Sequence, residues 1–149
     1  DMTSPGKPRL TSTVIKSRLK HATDMCFVDQ ATAGGRNLII GVDHDKQKIT
    51  AIDANQNKKV WEVKRTLGGH DFCPSSITCS PNGYLFVADD RRVIQLKASS
   101  GEYWTDVVKT GHEGVGVPHF VRWHDEHNYL ILLHKSTENH FFLSAFSLK

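Results

Sequence analysis

Two groups of residues in this 149-residue chain have the types and spacing to do chemistry. The first is the run RWHDEHNYL, Arg122 to Leu130, where His124 and His127 bracket Asp125 and Glu126. Imidazoles and carboxylates can hold zinc, but a zinc site needs three or four ligands converging in a tetrahedral array. This run reads as a polar hairpin turn, in which side chains three apart need not converge, so no metal site is assigned. The second group is a set of basic and histidine residues in short polar stretches: Arg18, Lys20, His21, Arg65, His70, Arg91, Arg92, His112, His134 and Lys135. Arg and Lys neutralise phosphates, which makes this set a candidate ligand-binding face with structured RNA among its partners. Asp43, Asp45, Asp71, Asp89, Asp90, Glu113 and Glu138 fall in the same stretches and nearly cancel the bases. A nucleic-acid footprint is an uninterrupted basic patch, so the plain alternative is a set of solvated turns. The face is mixed at neutral pH and becomes basic near about pH 6, as histidines protonate.

The remaining chemistry is sparse. Cys26, Cys73 and Cys79 are too few, and odd in number, for a disulfide framework. Cys26 and Cys79 read as buried free thiols that pack as small hydrophobes. No Gly-x-Ser-x-Gly, phosphate loop or dinucleotide fingerprint occurs, so no catalytic residue or cofactor is assigned and the chain reads as non-enzymatic. The net charge of +3 permits an anionic partner without requiring one. The longest apolar stretch, Leu38–Val42, is far shorter than a membrane span. DMTSPGKPRL lacks a signal-peptide core, so residues 1–9 read as a flexible lead and the location as cytoplasmic.

The elements that must position these residues repeat. Three segments align, each with a short strand (Asp24–Val28, Ser76–Ser80, Phe120–His124), a turn, and an apolar strand written NLIIGVD, YLFVAD or YLILLH. A third strand follows, ITAID, VIQLK or LSAFS, in which Ile49, Val93 and Leu143 correspond, as do Ile52, Leu96 and Phe146. The first two units add a fourth strand, VWEVK and YWTDVVK. β-Branched and aromatic residues dominate the runs, and no long stretch has helical periodicity. Repeats of about 40–50 residues with four short strands are the mark of a β-propeller, whose blades cannot bury both faces alone. Trp61, Tyr103 and Trp104 are then expected in blade packing or at blade edges. Trp123 is expected in the core. Phe141 and Phe142, at the mouth of the third blade beside the candidate face, are expected there too, with exposure of one as a stacking platform or partner anchor as the alternative.

PSSITCSPNGYLFVADDRRVIQL resembles the NHL-repeat pattern: a Pro, a short apolar strand, a turn with Gly, a strand ending Ala-Asp, a basic turn and another apolar strand. LIIGVDHDKQKITAID fits it too, whereas the third unit has LLHKSTENH in place of Ala-Asp. The chain is similar to the C-terminal propeller part of tripartite-motif NHL proteins. That resemblance implies a face that binds RNA stem-loops or protein partners. Related amidating-enzyme lyases hold a metal on inner strands, where this chain offers Cys26, Cys79 and Arg122 but no repeating His. The expected function is a binding platform for a protein or other macromolecule. RNA stem-loop binding and lectin-like carbohydrate binding are the alternatives.

The expected layout is a half-propeller over residues 10–149, with blades near 24–64, 76–109 and 120–149. The segment LTSTVIKSR, 10–18, resembles a fourth strand, and the third unit lacks one. A closed ring of three blades is too tight, since propellers have about 4–8. The economical expectation is a homodimer: each copy's first strand completes its partner's third blade in a six-bladed ring. A fragment of a longer protein is the alternative.

Overall fold

The computed structural model describes residues 19, 22–64, 66–67, 70–110 and 114–147, and every regular element among them is a strand. β1 (Asp24–Val28), β2 (Leu38–Asp43), β3 (Lys48–Asp53) and β4 (Lys58–Lys64) form an antiparallel meander. After a two-residue ribbon of β5 (Thr66–Leu67) and β6 (His70–Asp71), a second meander joins β7 (Pro74–Cys79), β8 (Tyr84–Asp89), β9 (Arg92–Lys97) and β10 (Tyr103–Lys109). The third sheet has β11 (Val117–His124), β12 (Tyr129–Lys135) and β13 (Phe141–Ser147). The repeat read from the sequence is therefore an all-β stack of blades. The ribbon β5–β6 was not foreseen, because four residues carry no periodic signal. Residues 10–18, expected to add a fourth strand to a third blade, lie outside the described residues.

The repeat motif has a physical cause in the turns. The acid closing β2 accepts a bond from the Lys46 amide at 3.0 Å through Asp43 Oδ1. Asp89 does the same for the Arg91 amide at 3.1 Å. A side-chain acceptor at the strand end fixes the turn that follows, which is why Asp recurs there. In the third sheet His134 stands at that position, buried like the two acids, but the turn that follows is held by Ser136 Oγ, which accepts the Glu138 and His140 amides at 3.3 Å. Asn57 and Asn128 take the left-handed conformation, φ 52° and 53°, that tight hairpins demand.

The core lies between sheets. Leu38, Ile40, Ile49, Ile77, Leu85, Val87 and Leu96 belong to one cluster from the first two sheets. Phe86, Ala88, Val93, Val121, Leu130 and Leu132 form another from the second and third. Neither sheet of such a pair can dehydrate its facing side chains without the other. Trp61 packs between blades as expected. Its Nε1 donates to the Ala98 carbonyl at 2.9 Å, and its ring lies so close to Gly101 (φ +72°) that a Cβ there would sit 2.5 Å from it. Trp123 stacks on Phe86 at 5.6 Å. Phe141 and Phe142 are not core: they are 57% and 50% exposed, because among the described residues nothing pairs with the outer edge of β13.

Candidate functional site

The inner strands β1, β7 and β11 run side by side, and their starts line a cleft of about 290 Å³. Thr23, Ser75 and His119 come one from each repeat, near the start of its inner strand. His44 and Asp45 come from the β2–β3 turn and Asp90 from the β8–β9 turn; Cys73, Val117 and Pro118 complete the wall. His44 donates from Nδ1 to the Pro74 carbonyl at 3.2 Å, which fixes its ring. The Ser75 hydroxyl lies 3.1 Å from the His119 carbonyl and 3.2 Å from that of Ala88, tying the second sheet to the third. The His119 ring meets Phe141 edge-on at 5.5 Å. Two carboxylates and two imidazoles supplied by three sheets stand around a cleft whose exposed wall is mainly apolar.

The residues singled out from sequence fare unequally. Arg91 is exposed on the β8–β9 turn. Arg92 is withdrawn: it is buried, its Nε lies 3.5 Å from Asp89 Oδ2, and its Nη1 lies 3.1 Å from Asp106 Oδ1. Burial pushes Asp89 up to about 6, with Asp90 beside it adding to the rise and Arg92 opposing it. His134 is also internal. Its Nδ1 accepts the Gly116 amide at 3.0 Å, so its Nε2 carries the proton toward the Ser144 hydroxyl at 2.8 Å. Burial holds its pKa below the ordinary value. Lys135 places its ammonium 5.6 Å from the centre of the Phe141 ring. The backbone of His70 lies in β6. Arg18, Lys20, His21, Arg65 and His112 lie outside the described residues. The His124 and His127 rings do converge, stacked 5.4 Å apart, and no cluster of three metal-ligating side chains occurs among the described residues.

Beside the cleft, three sheets are locked by one ionic network that the sequence did not disclose beyond the position of Arg122. Arg122 Nη1 donates to Asp24 Oδ2 at 2.9 Å, to Ser76 Oγ at 3.0 Å and to the Val121 carbonyl at 2.7 Å. Ser76 donates to Asp24 Oδ2 at 2.8 Å and accepts the Val121 amide at 3.2 Å. Asp24 also accepts the Ile77 amide at 3.1 Å. Burial raises the Asp24 pKa, but the Ile77 amide, Arg122 and Ser76 together carry it below the ordinary carboxylate value. Asp24 and Ser76 stand near the starts of corresponding strands in two repeats, but Asp, Ser and Arg are different residue types, so the repeat pattern does not announce their contact.

With this geometry the chain has the architecture of consecutive β-propeller blades, and the solved structures it resembles include propellers. It is similar to the WD40 repeats of RRP9, with 14% identity, TM-score 0.60, and coverage of 90% of this chain and 41% of that one. The Cps50 (Swd1) β-propeller domain of Myceliophteria thermophila gives 14% identity and TM-score 0.51 over 85% of this chain and 39% of that one. Glutaminyl cyclase of Myxococcus xanthus gives 10% identity and TM-score 0.53 over 84% of this chain and 55% of that one. The chain thus spans about two fifths to just over half the length of these three chains. Identities this low establish the fold alone, and these relatives include both WD40 repeats and a cyclase. No family model and no curated protein matches the sequence. No helix among the described residues is long and apolar enough to cross a membrane.

Proposed function

We propose that the chain is a non-enzymatic recognition module, part of a propeller that binds a protein partner across the cleft where its three blades meet. The observation that carries this reading is the make-up of that cleft: Asp45, Asp90, His44 and His119 on a frame of paired strands. At about 290 Å³ it is at or below the size of ordinary small-molecule sites and suits one long side chain. A basic side chain of a partner would pair with the two carboxylates and lay its methylenes on Val117 and Pro118. Titration of the chain with labelled Lys- and Arg-containing peptides tests this. Binding should be lost in the double variant Asp45→Asn, Asp90→Asn and kept in Arg91→Glu.

RNA binding is the second reading, favoured by the exposed Arg91 and by Arg18, Lys20 and Arg65, which lie outside the described residues. Burial of Arg92 weighs against it. A structured RNA stem-loop whose binding falls steeply with salt and is abolished by Arg91→Glu would replace the protein reading with this one.

We also read the repeats as NHL-like, on Pro74, the Ala88-Asp89 strand end and the Arg91-Arg92 turn. Finally, we read the edge of β13, unpaired among the described residues, as the place where a second copy completes a six-bladed ring. Phe141, Phe142 and Leu143 are exposed along that edge, and an apolar strand edge left open is an association site. Light scattering over a dilution series should return twice the 16.7 kDa chain mass. A single-chain mass at all concentrations overturns the dimer and leaves the cleft reading in place.

A further inference from the structure

Two thiols, Cys26 and Cys79, stand half-buried against the core shared by the first two sheets. Cys79 Sγ donates to the Phe27 carbonyl at 3.3 Å, and Ser76 and Ile77 both bond Asp24. β7 is therefore level with β1 along both strands at an offset of 52–53 residues, as those same pairs show. That offset sets Cys26 abreast of Thr78 and Cys79, near enough for each thiol to perturb the other's titration. Both are free and half-buried. Cys79 also opens into a second cleft, about 280 Å³, lined by Phe27, Val28, Thr32, Ser80 and Pro81, with Asp29 and Asp125 at its margin.

We propose that Cys26 and Cys79 form a redox pair that takes oxidising equivalents from a hydroperoxide and closes to a disulfide, stapling the first blade to the second at the inner rim. The chemistry divides between the two sulfurs. The neighbouring Cys26 thiol draws the Cys79 thiol down to about 7, despite its partial burial and the nearby charges of Asp125 and Asp29. The nearness of Cys79, together with burial, pushes Cys26 up, so it stays protonated. The Cys79 thiolate attacks one peroxide oxygen. The O–O bond breaks, the leaving hydroxide or alkoxide takes a proton, and Cys79 becomes a sulfenic acid as the peroxide is reduced. Cys26 then loses its proton and attacks the Cys79 sulfur; the S–O bond breaks and the hydroxide leaves as water. A dithiol reductant reverses the staple by exchange. Cys73 is the internal control: its sulfur accepts a bond from Gln47 Nε2 at 3.0 Å, on a different strand connection.

The experiment treats the reduced full chain with hydrogen peroxide at neutral pH, blocks free thiols by alkylation and maps linked peptides without reduction. A Cys26–Cys79 linkage with Cys73 still alkylated is expected. In Cys26→Ser, or Cys26→Ala if the serine variant does not fold, dimedone should label a persistent sulfenic acid on Cys79. In Cys79→Ser no dimedone adduct should form on Cys26. Set against the ordinary thiol value of 9.0, Cys79 should be alkylated about fivefold faster than free cysteine, since its larger thiolate fraction outweighs its lower nucleophilicity. Wild-type chain that keeps both thiols free under peroxide, or that oxidises at Cys73 first, overturns the proposal.

Discussion

Ile49 in the first sheet and Leu143 in the third occupy the same place in the repeat, yet the first is 0% exposed and the second 72%. Val93, their counterpart in the second sheet, is also fully buried. All three stand on third strands and pair with the second strand of their own sheet, Ile49 with Val42, Val93 with Ala88 and Leu143 with Leu133. Backbone pairing is therefore not what buries the position. In the first two sheets a fourth strand and a neighbouring blade cover it; beside β13 the described residues supply neither. Burial in this fold belongs to the stack and not to the blade, as expected where each unit's core is shared with its neighbours.

The largest effect that sharpens this contrast is at Ile49. Ile49→Ala removes side-chain atoms from a fully enclosed site, where the transfer and cavity terms add to about 2–5 kcal/mol. Chemical denaturation checks it. A loss under about 1 kcal/mol would mean that the first two sheets do not share the dense core described.

Next in size is the ionic network at the inner rim. Removing Arg122 leaves Asp24, half-buried, with Ser76 and the Ile77 amide as its partners. Arg122 is itself 52% exposed, so solvent screening limits the loss from Arg122→Ala to about 1 kcal/mol, with the surviving hydrogen bonds holding the rest. The pH dependence carries a clear sign. The Asp24 pKa is lowered in the fold, so its contribution is complete above the ordinary value of 3.8 and disappears as pH falls through the folded value. Asp24→Asn should flatten the stability profile in that acid range and leave it unchanged in shape near neutrality. A profile identical to wild type below pH 3.8 would show that the network contributes nothing.

The sequence made the strands legible because their signal is local. β1, β8 and β10 begin and end where the apolar runs predicted, and the Asp at the end of β2 and β8 announced its turn. The site was less legible. His119, Ser75 and Thr23 gather in the cleft because three inner strands start side by side, a relation spread over the whole chain. Arg92 shows the converse: in the sequence it reads as half of a basic turn, and only the positions of Asp89 and Asp106 reveal that it faces inward. Phe141 and Phe142 were misjudged because hydrophobicity gives the tendency to be covered and not the cover.

His134 shows what a different side chain does at the strand end of the third sheet. As the buried counterpart of Asp43 and Asp89, it accepts the Gly116 amide through Nδ1, which it can do only while neutral. Burial lowers its pKa below 6.5, so its stabilisation is complete above that pH and is lost as pH falls through the folded value. Protonation would remove one buried hydrogen bond, about 1 kcal/mol. Amide exchange at Gly116 should accelerate on acidification relative to exchange in β8, and the difference should vanish in His134→Gln. Uniform acceleration across both sheets would assign the acid sensitivity elsewhere.

The smallest expected effect is at Leu143. In the single chain Leu143→Ala should change stability by less than about 0.5 kcal/mol, because 72% of that residue already meets water. Measured on dilute protein beside Ile49→Ala, it separates two accounts of the same repeat position. If the pair differ by several-fold, stacking alone decides burial and β13 is an open edge waiting for cover. If Leu143→Ala costs as much as Ile49→Ala even at the lowest concentration, the edge is covered within one chain, and the second copy proposed for it has nowhere to bind.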